Sequence, residues 1–304
     1  MKVVFIGSSS FGLKCLKEIN LLKELNLVGV ISAKEKFNIS YSKNKVKNYL
    51  YSDLSKYCKD NLIPIKVMEE KMNEEGLLSV VKDWNPDIFI VAGWYHMIPR
   101  SWLDYRKSYG LHASLLPDYS GGAPLVWAII NGEKKTGITL FQMDTGVDSG
   151  PILGQAEEII YDDDDIQSLY GRIELKGIHL IKKCFPLLAS GKLKLKKQNE
   201  SKRRIFPQRS PDDGLINFDS SHIDIKNFIR AQTKPYPGAF FLNKNKTKII
   251  IWRCEAQPHN HNKEPGTIIY QNNSWAICCR DGLIFPKHIC VNGIDTDFIP
   301  AYFN

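Results

Sequence analysis

Nowhere in its 304 residues does this sequence carry an apolar run approaching the roughly 20 residues that a membrane-spanning helix needs. It also lacks the basic, apolar and small-residue regions of a secretory leader, because the chain opens directly on Lys2-Val3-Val4-Phe5-Ile6-Gly7, which reads as a core strand. No C-x-x-C spacing occurs among its seven cysteines (Cys15, Cys58, Cys184, Cys254, Cys278, Cys279, Cys290), and their odd number argues against a disulfide framework. Zinc would need ligands gathered from distant positions, and Cys278 and Cys279 are neighbours on a strand pattern that points them to opposite faces. There is no G-x-G-x-x-G: the loop Gly7-Ser8-Ser9-Ser10-Phe11-Gly12 has neither that spacing nor a Walker lysine and hydroxyl pair. No repeat of 20 to 50 residues is visible. Together these absences predict a soluble, cytoplasmic protein of reduced thiols, with no bound metal and no membrane partner.

What is present fits a globular enzyme. Hydrophobic residues make up 43% and charged residues 24%, close to the soluble average, so nothing calls for disorder. The length accommodates a large domain and a smaller one. Alternating apolar runs predict βαβ units and a mainly parallel, Rossmann-like sheet flanked by helices. Strands are expected at Val3 to Ile6, Leu27 to Ile31, Ile63 to Val67 and Asp87 to Ala92, with helices marked by Phe11, Cys15, Ile19 and Leu22, by Leu54, Tyr57 and Cys58, and by Leu77, Leu78, Val81 and Trp84. Between Ile31 and Asp53 the polar, Lys/Asn-rich composition predicts a mobile surface excursion. Strand patterns resume at Gly137 to Met143, Pro151 to Leu153 and Ile159-Ile160. The acidic run Asp162 to Asp165 then caps a long amphipathic helix from Ile166 to near Gly191. A domain of residues 1–200 is followed by residues 201–304, one helix around Ile223 to Ile229 and then turn-separated short strands, an OB-like β-rich domain.

The formal charge of +8 favours an anionic partner, although the lysines are spread along the chain. Lys202-Arg203-Arg204 with Arg209 is the exception, and arginine forks there suit phosphate or pyrophosphate oxygens.

The chemistry concentrates in two stretches. Gly110-Leu111-His112-Ala113-Ser114-Leu115-Leu116-Pro117 and Met143-Asp144-Thr145-Gly146-Val147-Asp148-Ser149-Gly150 place a histidine and two carboxylates on turns beside apolar strands. Alone, His112 is one histidine of seven and Asp148 a turn residue; together on strand-end loops they form a candidate proton-transfer pair. Gly93-Trp94-Tyr95-His96-Met97-Ile98-Pro99 follows a buried strand, where α/β folds bind ligands.

These residues, with Gly121-Gly122-Ala123-Pro124, Asn131-Gly132-Glu133, Pro207-Gln208-Arg209 and Lys234-Pro235-Tyr236-Pro237-Gly238-Ala239-Phe240, resemble the folate-dependent formyltransferases that use 10-formyltetrahydrofolate. The family includes methionyl-tRNA and sugar-nucleotide N-formyltransferases, and the resemblance spans nearly the whole chain. It implies acyl transfer to a primary amine through a tetrahedral intermediate. It implies catalytic roles for His112 and for Asp148, 36 positions later. The family's third residue, an asparagine that donates its amide hydrogen to the developing oxyanion, corresponds to Gly110, which has no side chain to do so. Oxyanion stabilisation would then fall to His112, backbone N–H groups or an ordered water. Pterin contacts are implied for Trp94, Tyr95, His96, Met97 and Ile98, for Leu116, and for Asp144, Thr145, Gly146 and Val147. Ser114, Arg203, Arg204 and Arg209 are assigned to the acceptor substrate. Ser120 stands where similar sequences carry an arginine.

The acceptor expected is a nucleotide-linked amino sugar. Ser32-Ala33-Lys34-Glu35-Lys36-Phe37-Asn38 lacks the P-A-G-R-G-K-type loop of the tRNA enzymes, and the 64 residues after Phe240 read as short for their C-terminal barrel. No nucleic acid partner is therefore expected, and a homodimer through the apolar β-rich tail is. Two alternatives stand beside this reading: a methionyl-tRNA formyltransferase, and a folate- or nucleotide-binding protein with little catalysis, suggested by Gly110 and Ser120.

Overall fold

A computed structural model describes residues 1–38, 45–74, 76–271 and 273–298. Seven strands form the main sheet: β1 (Lys2–Ile6), β2 (Asn26–Ala33), β3 (Ile65–Met68), β4 (Ile88–Val91), β5 (Lys107–His112), β6 (Lys135–Gln142) and β7 (Ile152–Ile159). Their spatial order is β7-β6-β5-β4-β1-β2-β3. The pairs β1–β2, β1–β4, β2–β3 and β4–β5 are parallel, and β5–β6 is antiparallel. The expected mainly parallel sheet is thus present, with an antiparallel turn at the edge that carries β5 and β6.

The chain divides into two compact units. One comprises Met1–Gly121, Gly137–Glu158 and Arg172–Ile205, the other Gly122–Thr136, Ile159–Gly171 and Phe206–Asn304. In the first unit, β1 and β4 are apolar along nearly their whole length because both faces of a parallel sheet are covered. Val4, Ile6, Ile31, Met68, Phe89, Val91 and Trp102, the last on helix α4 (Arg100–Tyr105), share one core cluster with Leu77 and Val81 of helix α3 (Leu77–Trp84), which follows helix α2 (Ser55–Asp60) along the chain. Helix α1 (Ser10–Leu21) begins at Ser9, whose hydroxyl accepts from the Gly12 amide at 3.0 Å. The glycine loop before it serves packing: a Cβ at Gly7 would stand 2.5 Å from the Ala92 carbonyl oxygen. That closeness explains the glycine without any bound phosphate.

The segment expected to be a mobile excursion is anchored where it is described. Lys36–Phe37 pairs antiparallel with Val46–Lys47. Asn48 is buried, and its amide donates to the Ser8 carbonyl at 3.1 Å. A polar sequence does not announce such an anchor, because asparagine can be satisfied by backbone as well as by water. The middle of the excursion, residues 39–44, lies outside the described residues.

In the second unit, helix α5 (Pro124–Ile130) starts on a proline, which suits a first turn. The acidic run does cap helix α6 (Ile166–Ala189): Asp165 accepts from the Ser168 amide at 2.9 Å. Helix α7 (His222–Arg230) is capped by Ser221. It shares a core cluster with the antiparallel sheet formed by β8 (Ala239–Leu242), β9 (Lys248–Pro258), β10 (Ile268–Gln271), β11 (Ser274–Cys279), β12 (Gly282–Val291) and β13 (Ile294–Thr296). The order is β8-β9-β12-β11-β10, with β13 also on β12. Cys278 and Cys279 fall in separate clusters, as strand alternation requires, and all seven cysteines are free and buried. Among the described residues no helix is long and apolar enough to cross a membrane.

Candidate active site

The end of β5 and the loop that follows β6 bring His112 and Asp148 together. His112 is the last residue of β5, and its Nδ1 stands 3.6 Å from Asp148 Oδ2. The two side chains are 11% and 20% exposed, sheltered but open to a substrate. His112 Nε2 lies 2.7 Å from the Tyr119 carbonyl oxygen. A carbonyl can only accept, so Nε2 carries a proton, and Nδ1 is the ring nitrogen beside Asp148. The tautomer is therefore set by a backbone carbonyl rather than by the carboxylate. Asp148 in turn accepts from the Gly121 amide at 2.8 Å. Its own backbone is left-handed, with φ +50, a conformation that needs support from its surroundings.

The strand period of two places Gly110 on the same face as His112. A Cβ at Gly110 would meet Met143 Sδ at 3.1 Å and Phe141 Cε1 at 3.4 Å, so the methionine side chain covers the ground that a larger residue would need. No side-chain donor issues from this position.

The other expected site residues divide by environment. Trp94, Tyr95 and His96 are half-buried, Met97 is exposed and Ile98 buried. Phe37, Tyr95 and His96 form an aromatic cluster, with the Phe37 and His96 ring centroids 4.4 Å apart. Among the described residues, the buried Trp94 Nε1 and His96 Nε2 have no hydrogen-bond partner. Burial pushes the His96 imidazole pKa below its ordinary value, so this ring is neutral at pH 7. Two orphaned ring nitrogens beside aromatic faces fit a flat, hydrogen-bonding heterocycle. Leu116 packs in a buried cluster with Phe141 and Ile152. Asp144 closes its own turn, accepting from the Gly146 amide at 3.0 Å and the Ser149 hydroxyl at 2.6 Å, while Thr145 and Val147 are exposed.

Ser114 is fully buried and donates to the Asp118 carbonyl at 2.7 Å. The arginine cluster is engaged within the fold. Arg203 donates to Ser120 Oγ at 2.7 Å and to the Val147 carbonyl at 3.0 Å, and it pairs with Glu200. Arg204 forks onto both oxygens of Asp118 at 2.7 Å. In the second unit, Arg209 donates to the Asp213 carbonyl and to Gln232, with its guanidinium 4.7 Å above the Trp127 ring. Among the described residues, no group of three or more His, Cys, Asp or Glu is placed to hold a metal ion. The motifs gave no notice of the Tyr119 carbonyl or of Gln198, which donates to the carbonyls of Asp148 and Gly150. Backbone acceptors leave no residue-type signature, and an isolated glutamine carries none either.

Comparison with known proteins identifies the family. Residues 1–183 match the family described as formyl transferase, and residues 209–295 match formyl transferase, C-terminal domain. A methionyl-tRNA formyltransferase of Caldanaerobacter subterraneus subsp. tengcongensis is 29% identical over 287 residues, covering 93% of this chain and 90% of that one. The N-formyltransferase from Helicobacter canadensis, solved in complex with folinic acid and dTDP-3-aminofucose, is 24% identical with a TM-score of 0.63, over 94% of this chain and 98% of that one. HypX from Aquifex aeolicus in complex with tetrahydrofolic acid is 15% identical with a TM-score of 0.63, over 98% of this chain. This chain spans about half the length of HypX, 46%. At these identities the two solved structures establish the fold alone.

Proposed function

We propose that this chain, which belongs to the formyl transferase family, moves the formyl group of 10-formyltetrahydrofolate to the amino group of a nucleotide-linked amino-dideoxy sugar, dTDP-4-amino-4,6-dideoxyglucose or a close relative. The observation that carries the chemistry is the placing of His112 Nδ1 3.6 Å from the Asp148 carboxylate. Attack of a neutral amine on the formyl carbon must shed a proton. His112 Nδ1 accepts it, and the resulting N–H then points at Asp148, which stabilises the imidazolium. The proton leaves later with the folate nitrogen as that bond breaks. Because Nε2–H is committed to Tyr119, His112 serves better as proton acceptor than as oxyanion donor. With Gly110 silent, the oxyanion depends on backbone N–H groups or water. The pterin ring is assigned to Trp94, Tyr95, His96, Met97, Ile98 and Leu116 and to the Asp144 to Val147 turn, with the orphaned nitrogens of Trp94 and His96 as its polar contacts.

The choice of a small acceptor rests on the excursion after β2. It lacks the tRNA-reaching signature, and two of its described lysines are paired, Lys34 with Glu69 and Lys47 with Glu35. The length of the tail no longer contributes, since residues 209–295 match the family's C-terminal domain. Ser114, Arg204 and Arg209 are retained as acceptor-side residues and the division at residues 1–200 and 201–304 as the domain assignment. We place the enzyme in the cytoplasm as a homodimer. The 29%-identical relative favours methionyl-tRNA as the second reading. Incubation with 10-formyltetrahydrofolate and a panel of dTDP- and UDP-amino sugars, beside charged initiator tRNA, separates them. Formylated sugar is expected. Formylation of tRNA alone overturns the acceptor, and folate binding without turnover on any amine overturns the enzyme.

A further inference from the structure

We infer that Gln198 and Arg203 are positioning residues that lock the backbone beneath Asp148 and so aim its carboxylate at His112. The inference rests on the reading that Asp148 is catalytic. Three carbonyl groups within the Val147 to Gly150 turn are gripped from a segment some 50 positions later in the chain. Gln198 Nε2 donates to the Asp148 carbonyl at 2.8 Å and the Gly150 carbonyl at 2.7 Å. Arg203 Nη1 donates to the Val147 carbonyl at 3.0 Å and reaches the Asp148 carbonyl at 3.4 Å. The gripping segment is itself tied down, because Lys196 and Ile152 exchange two backbone hydrogen bonds of 2.8 Å.

The orientation of the glutamine follows from chemistry alone. The two carbonyls can only accept and the guanidinium can only donate, so Nε2 must face the turn and Oε1 must face Arg203, where Nη2 lies at 3.1 Å. Gln198 is 6% exposed, too sheltered for water to take its place. The grip adds to what Asp148 already tolerates, because its backbone is left-handed, a state that aspartate enters more readily than most residues but that its neighbours help to hold. The carboxylate then stands between the Gly121 amide and His112 Nδ1. Arg203 also closes onto Ser120 Oγ, so one guanidinium joins the turn bearing Asp148 to the turn bearing Tyr119, which orients the imidazole. Its donors are spent on the protein rather than left for a phosphate.

Gln198→Met keeps length and bulk but removes both donors. We expect kcat to fall ~10- to 100-fold with KM for 10-formyltetrahydrofolate and for the amine (the dTDP-amino sugar or charged tRNA, whichever is turned over) within about 3-fold. In an Asp148→Asn background the same substitution should change kcat less than about 3-fold, because its effect passes through the carboxylate. Arg203→Lys, which keeps the charge but loses the fork, should repeat this pattern and stands in if Gln198→Met does not fold. Full activity in Gln198→Met or, in its place, Arg203→Lys overturns the inference, as does an equal loss in both backgrounds or a loss confined to KM. If Asp148→Asn alone leaves kcat unchanged, the catalytic reading of Asp148 fails first.

Discussion

Replacing Asp148 with asparagine removes one negative charge and very little else. Asparagine is isosteric, tolerates the left-handed backbone at φ +50, and can still accept from the Gly121 amide through its side-chain oxygen. What disappears, on the proposed mechanism, is the attraction between the carboxylate and the imidazolium that forms when His112 takes the amine's proton. At 3.6 Å, two unit charges attract by about 1 kcal/mol in bulk water and by about 5 kcal/mol at an effective dielectric constant of ~20. The side chains are 11% and 20% exposed, so the pair lies between these limits. Each 1.36 kcal/mol is about tenfold in rate, which puts the expected fall in kcat on the order of 100-fold. The assay is steady-state formylation with the melting temperature measured alongside. A loss of less than about 3-fold in a protein that melts normally would refute the charge-stabilised proton acceptor.

Three further substitutions probe other parts of the argument. Gly110→Asn should raise kcat several-fold by adding a donor beside His112, since the Met143 tip, 3.1 Å from the new Cβ, is flexible enough to give way; a fall in kcat would show that it cannot. Gly29→Ala places a Cβ 2.1 Å from Trp84 Cε3 and should cost about 1–3 kcal/mol in a urea titration, whereas an unchanged midpoint would contradict the close packing of α3 on β2. Burial pushes the Cys254 thiol from an ordinary 9.0 up to about 12, so between those pH values the folded state binds more protons than the unfolded one and stability falls as pH rises. The slope is up to about 1.4 kcal/mol per pH unit from this group, and Cys254→Ala should flatten it; an identical alkaline melting profile in the variant would exclude that origin.

Much of the architecture was legible because its signals are local. Apolar runs marked β1, β2 and β4, helical spacing marked α1, α3 and α6, and the acidic residues before α6 announced its cap. Residue types in characteristic order also disclosed His112 and Asp148, and with them the family. The anchoring of the excursion after β2 was not legible, because nothing in a run of lysines and asparagines says that Asn48 will reach the Ser8 carbonyl.

The sequence by itself determined the elements, the mainly parallel sheet and the pair of residues able to move a proton, since hydrophobic period and residue chemistry are written position by position. Only the tertiary structure decided how that pair is arranged. A hydrogen bond from His112 to the Tyr119 carbonyl selects the tautomer, Met143 covers the space beside Gly110, and the grip of Gln198 and Arg203 holds the aspartate. Each depends on the direction of a backbone carbonyl or on space left between distant segments, and these exist only once the chain has closed on itself.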